Sequence, residues 1–309
     1  MAFDDIGIDA SLGLGEQASA PGIDRRSTLR ALVVGATTTA VAGTAAVGGL
    51  TLGSRPAWAQ AATDADLFNF ALNFEYLGAE YYLRGLTGQG LSASLLTGTG
   101  TQGPVIAGGP VPFQSAAIAQ YVQRLAVDEL AHVQFIRAVL GLAAIAEPAI
   151  NLSVANWSTL AIAAGLLVPG QTFNPYASDI GFLLGAYVLE DVCVTALAGA
   201  ARYLTNPNDL AAAAGLLGVE GYQAGGIRTL LANVGAGAAT DAISALRARL
   251  SGVGDNGTLA NGVAYNFVNT DTNALAFRRT PRQVLNIAYG AVNAPAGGFF
   301  PSGVNGNIR

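Results

Sequence analysis

Lysine is absent from the 309 residues: all fifteen basic residues are arginine, and against twenty acidic residues they leave a net charge of −5. Such a balance argues against nucleic acid or an anionic membrane surface as a partner. A single cysteine, Cys193, excludes an intrachain disulfide framework. No Lys-Ser/Thr follows the glycines between Gly98 and Gly109, so they form no phosphate loop. Charge of either sign is scarce, with 11% charged residues against 51% hydrophobic, and the length suffices for one large domain with a sizeable core or two small ones. From residue 60 onward there are six glutamates, Glu75, Glu80, Glu129, Glu147, Glu190 and Glu220, and four of them lie inside apolar helical stretches. A solvated helix face would place them elsewhere.

Residues 1–59 read as an export signal rather than as structure. Arg25-Arg26 opens the pattern, a weakly apolar run rich in Ala, Gly and Thr extends from Ala31 to Gly53, and Ala57-Trp58-Ala59 supplies a small-x-small cleavage step. The segment resembles a twin-arginine signal; Leu29 and Arg30 fit that pattern, while Asp24 and Thr28 depart from it. The expectation is a mature chain that starts at Gln60 and is soluble in the periplasm, delivered there by the twin-arginine export machinery. An uncleaved N-terminal membrane anchor is the alternative, because the run is long enough to span a bilayer although poor in strongly apolar residues.

From residue 64 the hydrophobic period is helical throughout. Helices are predicted over about 64–84, 115–140, 179–203 and 209–234, with a fifth over about 241–250. The first pair is separated by a Gly/Thr-rich loop, with Asn206-Pro207 breaking the third helix from the fourth. Residues 141–176 carry Pro148, Pro169 and Pro175 and read as a long irregular crossover with a short helix near 157–166. A Gly/Asn-rich tail from residue 252 holds one further helix candidate, with Thr280 as cap and Pro281 in the first turn. The domain reading is a signal over 1–59, a helical bundle over 60–251 and a C-terminal extension over 252–309 packed on it.

Helical spacing puts each of four glutamates on a core face. Phe68, Leu72, Ala79 and Tyr82 share the side of Glu75, and Val122, Leu125, Val133 and Ile136 that of Glu129. Leu183, Ala186, Val194 and Leu197 accompany Glu190, and Ala213, Leu216, Ala224 and Ile227 accompany Glu220. His132, the only histidine, follows Glu129 by three residues and can reach the same ion; the matching position after Glu220 is Gln223. Ionised carboxylates converging in an apolar core repel one another and cost several kcal/mol each in desolvation, and divalent cations relieve both. Carboxylates with a neutral imidazole suit iron or manganese. The candidate ligands are therefore Glu75, Glu129, His132, Glu190, Glu220 and Gln223, for one or two ions, with the Glu129/His132 side binding more tightly because an amide oxygen is the weaker donor. With His132 so engaged, no Ser-His-acid triad remains.

Glutamates on two helices, a Glu-x-x-His step on a third and a Glu-x-x-Gln step on a fourth resemble the ligand set of ferritin-like di-metal carboxylate bundles, which carry Glu-x-x-His at both of the latter. The segments Asn73-Phe74-Glu75-Tyr76-Leu77-Gly78-Ala79-Glu80, Asp128-Glu129-Leu130-Ala131-His132 and Phe173-Asn174-Pro175-Tyr176-Ala177 resemble the desiccation-related branch of that superfamily, as do Leu217 to Arg228 and Gly297-Gly298-Phe299-Phe300-Pro301. The resemblance spans the mature chain. It implies an all-α, ferritin-like four-helix core with its crossover between helices 2 and 3, an association with drying or oxidative stress, and glutamine as a familiar residue at position 223. Two functions stay open: a periplasmic di-metal protein that oxidises iron or consumes peroxide, and a non-catalytic stress or envelope bundle with a degenerate site. Whether the chain forms a homo-oligomer is open too. Cys193, three residues after Glu190, reads as a small buried hydrophobe, and Tyr82, Tyr187 and Tyr222 as core tyrosines that can neighbour the site.

Overall fold

Each of the four longest helices starts where a side chain accepts a free backbone N–H of the first turn. The computed structural model describes residues 62–259 and 266–309, so the N-terminal signal or anchor expected over 1–59 lies outside the described residues. Helix α1 (Asp64–Thr87) opens on a Thr63/Asp66 capping box and closes on Gly88 in the left-handed region at φ 76°. Helix α2 (Ala93–Leu96) is a single turn. Helix α3 (Ala116–Leu140) is capped by Ser115, α4 (Val154–Ala163) by Ser153 and α5 (Asp179–Ala200) by Ser178. Helices α6 (Pro207–Asn233), α7 (Gly237–Ser251) and α8 (Pro281–Ala288) complete the eight helices among the described residues. Asn206 and Pro207 do more than end the preceding helix: Asn206 caps α6 and Pro207 takes its first position, where a missing N–H costs nothing.

The core is two helical hairpins, α1 with α3 and α5 with α6, with α1 also packed on α5. Two carboxylates register them. Asp64 of α1 accepts the backbone N–H groups of Thr205 and Asn206 ahead of α6, and Asp179 of α5 accepts those of Gln114 and Ser115 ahead of α3. Thus α1 and α6 begin at one end of the bundle, α3 and α5 at the other. Tyr81 stacks on Phe182 with ring centroids 4.4 Å apart and donates to its carbonyl at 2.8 Å. Gly185 makes this possible, because a Cβ there would lie 2.1 Å from the Tyr81 hydroxyl oxygen. Each apolar side chain buried in this way contributes about 1.5–3 kcal/mol. Helix α5 is long and apolar enough to cross a membrane by composition, yet most of it is buried inside the bundle.

Residues 141–178 form the crossover between the hairpins, which is more ordered than the sequence suggests. Strand β1 (Val105–Ala107), in the loop after α1, pairs in parallel with β2 (Ile150–Leu152) in the crossover, Val105 opposite Ile150. The short helix predicted near 157–166 is α4, which starts three residues earlier at Val154. The C-terminal segment packs through α8 on α7 and α5 and buries Phe299 and Phe300. Asn305 ties it to the start of the bundle. Its backbone exchanges two hydrogen bonds of 3.0 Å with the Asn73 side chain, and its own amide donates to the carbonyls of Thr101 and Ala146 at 2.8 and 2.9 Å.

Candidate metal centre

Glu75 comes from α1, Glu129 and His132 from α3, Glu190 from α5, and Glu220 and Gln223 from α6, and all six side chains are buried. His132 is the hub. Its Nδ1 lies 3.2 Å from Glu75 Oε2, 3.2 Å from Glu220 Oε1 and 3.6 Å from Glu129 Oε1. One ligand atom from each of these four residues lies within 4.8 Å of all the others. Glu190 borders the group: it interacts with Glu220 and accepts a short hydrogen bond from the Tyr82 hydroxyl. Gln223 sends its Nε2 toward Asp128 Oδ2 at 3.5 Å, while Tyr121 holds its backbone carbonyl at 2.8 Å.

Space for the cluster comes partly from Gly78 on α1, where a Cβ would fall 2.2 Å from Glu129 Oε2. Cys193 faces the same centre, and burial, followed by Glu220 and Glu190, pushes its thiol up, so it stays protonated. Tyr187 belongs instead to an arginine network described below, and Tyr222 is 84% exposed on the outer face of α6, so neither adjoins the carboxylates. The contributions of Gly78, Asp128 and Tyr121 were not anticipated. A glycine three residues after Glu75 in an otherwise strong helix was the available signal.

The electrostatics are those of a site built for positive charge. Burial, and then the carboxylate neighbours, push Glu129 and Glu190 well above the usual carboxylate range; Glu220 rises to about 8, from burial first and Glu129 second. Burial opposes a charge on His132, but Glu129, Glu220 and Glu75 outweigh it and raise the imidazole's proton affinity. Even so, Glu129 Oε1, Glu190 Oε2, both oxygens of Glu220 and Gln223 Oε1 are buried without a donor. Buried acceptors left unpaired cost about 1–3 kcal/mol apiece, more when charged. Five orphaned oxygens beside an imidazole fit a hard or borderline divalent cation. The two other glutamates among the described residues are buried as well. Glu80 is bound by Arg84 and by the Leu91 N–H, and Glu147 lies near it, so burial extends to the two glutamates that helical spacing left outside the site.

Two antiparallel helical hairpins that each present buried carboxylates to one shared centre define a ferritin-like protein. The ferritin-like domain family matches residues 63–233, and the chain belongs to it. The chain is 32% identical to the ferritin-like catalase Nec2 of Nesocodon mauritianus, over 79% of this chain and 84% of the relative. It is 30% identical to the desiccation-related protein PCC13-62 of Craterostigma plantagineum, over 79% and 83% respectively. No solved structure matches it significantly.

Proposed function

We propose that this protein holds one or two iron or manganese ions in the carboxylate cluster and uses them to consume hydrogen peroxide, as an exported protein of desiccation or oxidative stress. The observation that carries the reading is the meeting of Glu75, Glu129, His132 and Glu220 within 4.8 Å, in a core that leaves Glu129 Oε1 and both Glu220 oxygens without a hydrogen-bond donor. These four would hold the first ion; Glu190 and Gln223, beside Glu220, would complete a second position. A bound redox metal supplies the electron exchange by which two peroxide molecules become two waters and one dioxygen. The chain's residues do the rest. Apolar faces exclude bulk water, Tyr82 orients Glu190, and Glu129 and Glu220 give up protons when a cation enters, which makes loading pH-dependent. The names of the two relatives, a catalase and a desiccation-related protein, support the same direction. Periplasmic delivery rests on Arg25-Arg26 and the small-x-small step at Ala57-Trp58-Ala59.

Gln223 favours a second reading, a non-catalytic stress or envelope bundle, because its amide nitrogen faces Asp128 and imidazole is absent from that half. Elemental analysis of protein purified without chelator, with dioxygen evolution from peroxide, separates the two. The proposal expects iron or manganese bound in the wild type, with metal and activity both lost in Glu129→Ala. Metal-free protein, whose melting temperature is the same with iron, manganese or a strong chelator, leaves the non-catalytic bundle.

A further inference from the structure

Outside the carboxylate cluster, an apolar cavity of about 190 Å³ lies between α4, α5, α7 and α8. Trp157 and Leu160, Leu184 and Val188, Ile243 and Ile287 represent the four helices in its wall, and no residue of the carboxylate cluster lines it. An engineered apolar cavity of ~150 Å³ takes up benzene, so this one has room for an organic body of about eight carbons. Leu166, 37% exposed, belongs to the lining, which therefore reaches the surface.

The wall has one charged member, Arg247. It is 1% exposed; its Nη1 donates to the Tyr187 carbonyl at 2.7 Å, and its Nη2 reaches Asp191 at 2.7 Å and Asp255 at 2.8 Å. Its Nε–H has no acceptor. Asp191 also binds Arg228, and Asp255 binds Arg279, so three guanidiniums share two carboxylates in the interior. One positive charge is in excess, and two buried donors of lining residues, Arg247 Nε–H and Trp157 Nε1–H, are unpaired. In a dry interior the charge calls for a counter-charge and the donors for an acceptor.

We propose that this cavity binds a medium-chain aliphatic carboxylate, with the alkyl chain in the apolar space and the carboxylate drawn to Arg247. The carboxylate supplies both missing elements, an anion and an acceptor, and the lining excludes a strongly polar body. A neutral lipid meets only the second requirement.

Octanoate and 1-octanol, which share a chain and differ in head group, are the probes. Trp157 lines the cavity and is one of two tryptophans, so full-length Trp58→Phe protein reports on it alone. Octanoate is expected to give a saturable change in Trp157 fluorescence and a rise in melting temperature, with an affinity at least about tenfold above that of octanol. Ala239→Phe, which fills the cavity, should lose octanoate binding by at least about tenfold while its circular dichroism stays native; Ala161→Leu replaces it if it does not fold. The proposal is overturned if octanoate gives no saturable signal, if octanol binds as well, or if a folded cavity-filling variant keeps full affinity.

Discussion

Gln223 sets the asymmetry of the centre, because its Oε1 is buried without a partner while its nitrogen turns to Asp128. Imidazole binds a divalent transition metal better than an amide oxygen does. Sub-stoichiometric iron or manganese should therefore fill one position first, and Gln223→His should tighten the second by about tenfold, as read by calorimetric titration. Away from the centre, Glu147 gives a pH signature. Burial and then Glu80 raise its carboxyl to about 8, with Arg84 opposing. A carboxyl raised in the folded state stabilises fully below the ordinary carboxylate range, and that contribution is lost as pH climbs from there to about 8. Urea unfolding in chelator should thus show wild-type stability falling from pH 5 to pH 8, and Glu147→Gln should remove on the order of 2–4 kcal/mol of that fall. An unchanged slope in the variant would count against a raised Glu147.

At the level of elements, α1 and α3 meet at the centre through Gly78, where a methyl group would displace Glu129 Oε2. Because a carboxylate tip can swing aside, Gly78→Ala should leave the fold intact and weaken metal binding, visible as retained ellipticity with lower metal occupancy. Helix α8 is a different case: its Thr280/Gln283 capping box satisfies two backbone donors, so Thr280→Ala should cost about 1 kcal/mol in urea unfolding. The four bundle helices were legible because 3.6-residue periodicity is a local signal, and the same spacing gathered Glu75, Glu129, His132, Glu190 and Glu220 on inner faces. The β1/β2 pair was not legible. Three-residue strands with partners 45 positions away carry no period of their own, and their pairing is set by tertiary contacts. Glu147, in an irregular segment ahead of Pro148, likewise gave no sign of its burial. The Asp191, Arg228, Arg247, Asp255 and Arg279 network escaped for the same reason, since its members are spread over separate elements and share no spacing.

Across the whole molecule, that network joins α5, α6 and α7 to the C-terminal segment. Asp191 pairs with two guanidiniums, and its pKa is lowered because Arg228 and Arg247 outweigh its burial. Asp191→Ala leaves Arg228 without a carboxylate and Arg247 with Asp255 alone, and should cost about 3–5 kcal/mol, measured as a lower urea midpoint with earlier proteolysis of the C-terminal segment. The contact between Asn305 and Asn73 joins regions separated by 232 positions. On a ribosome, α1 is among the first parts of the bundle to be made, and the buried amide of Asn73 must wait for nearly all the remaining chain to be translated before meeting this partner. The contact is therefore among the last to form, and a stop codon before position 305 would be felt in α1, far upstream of the lesion.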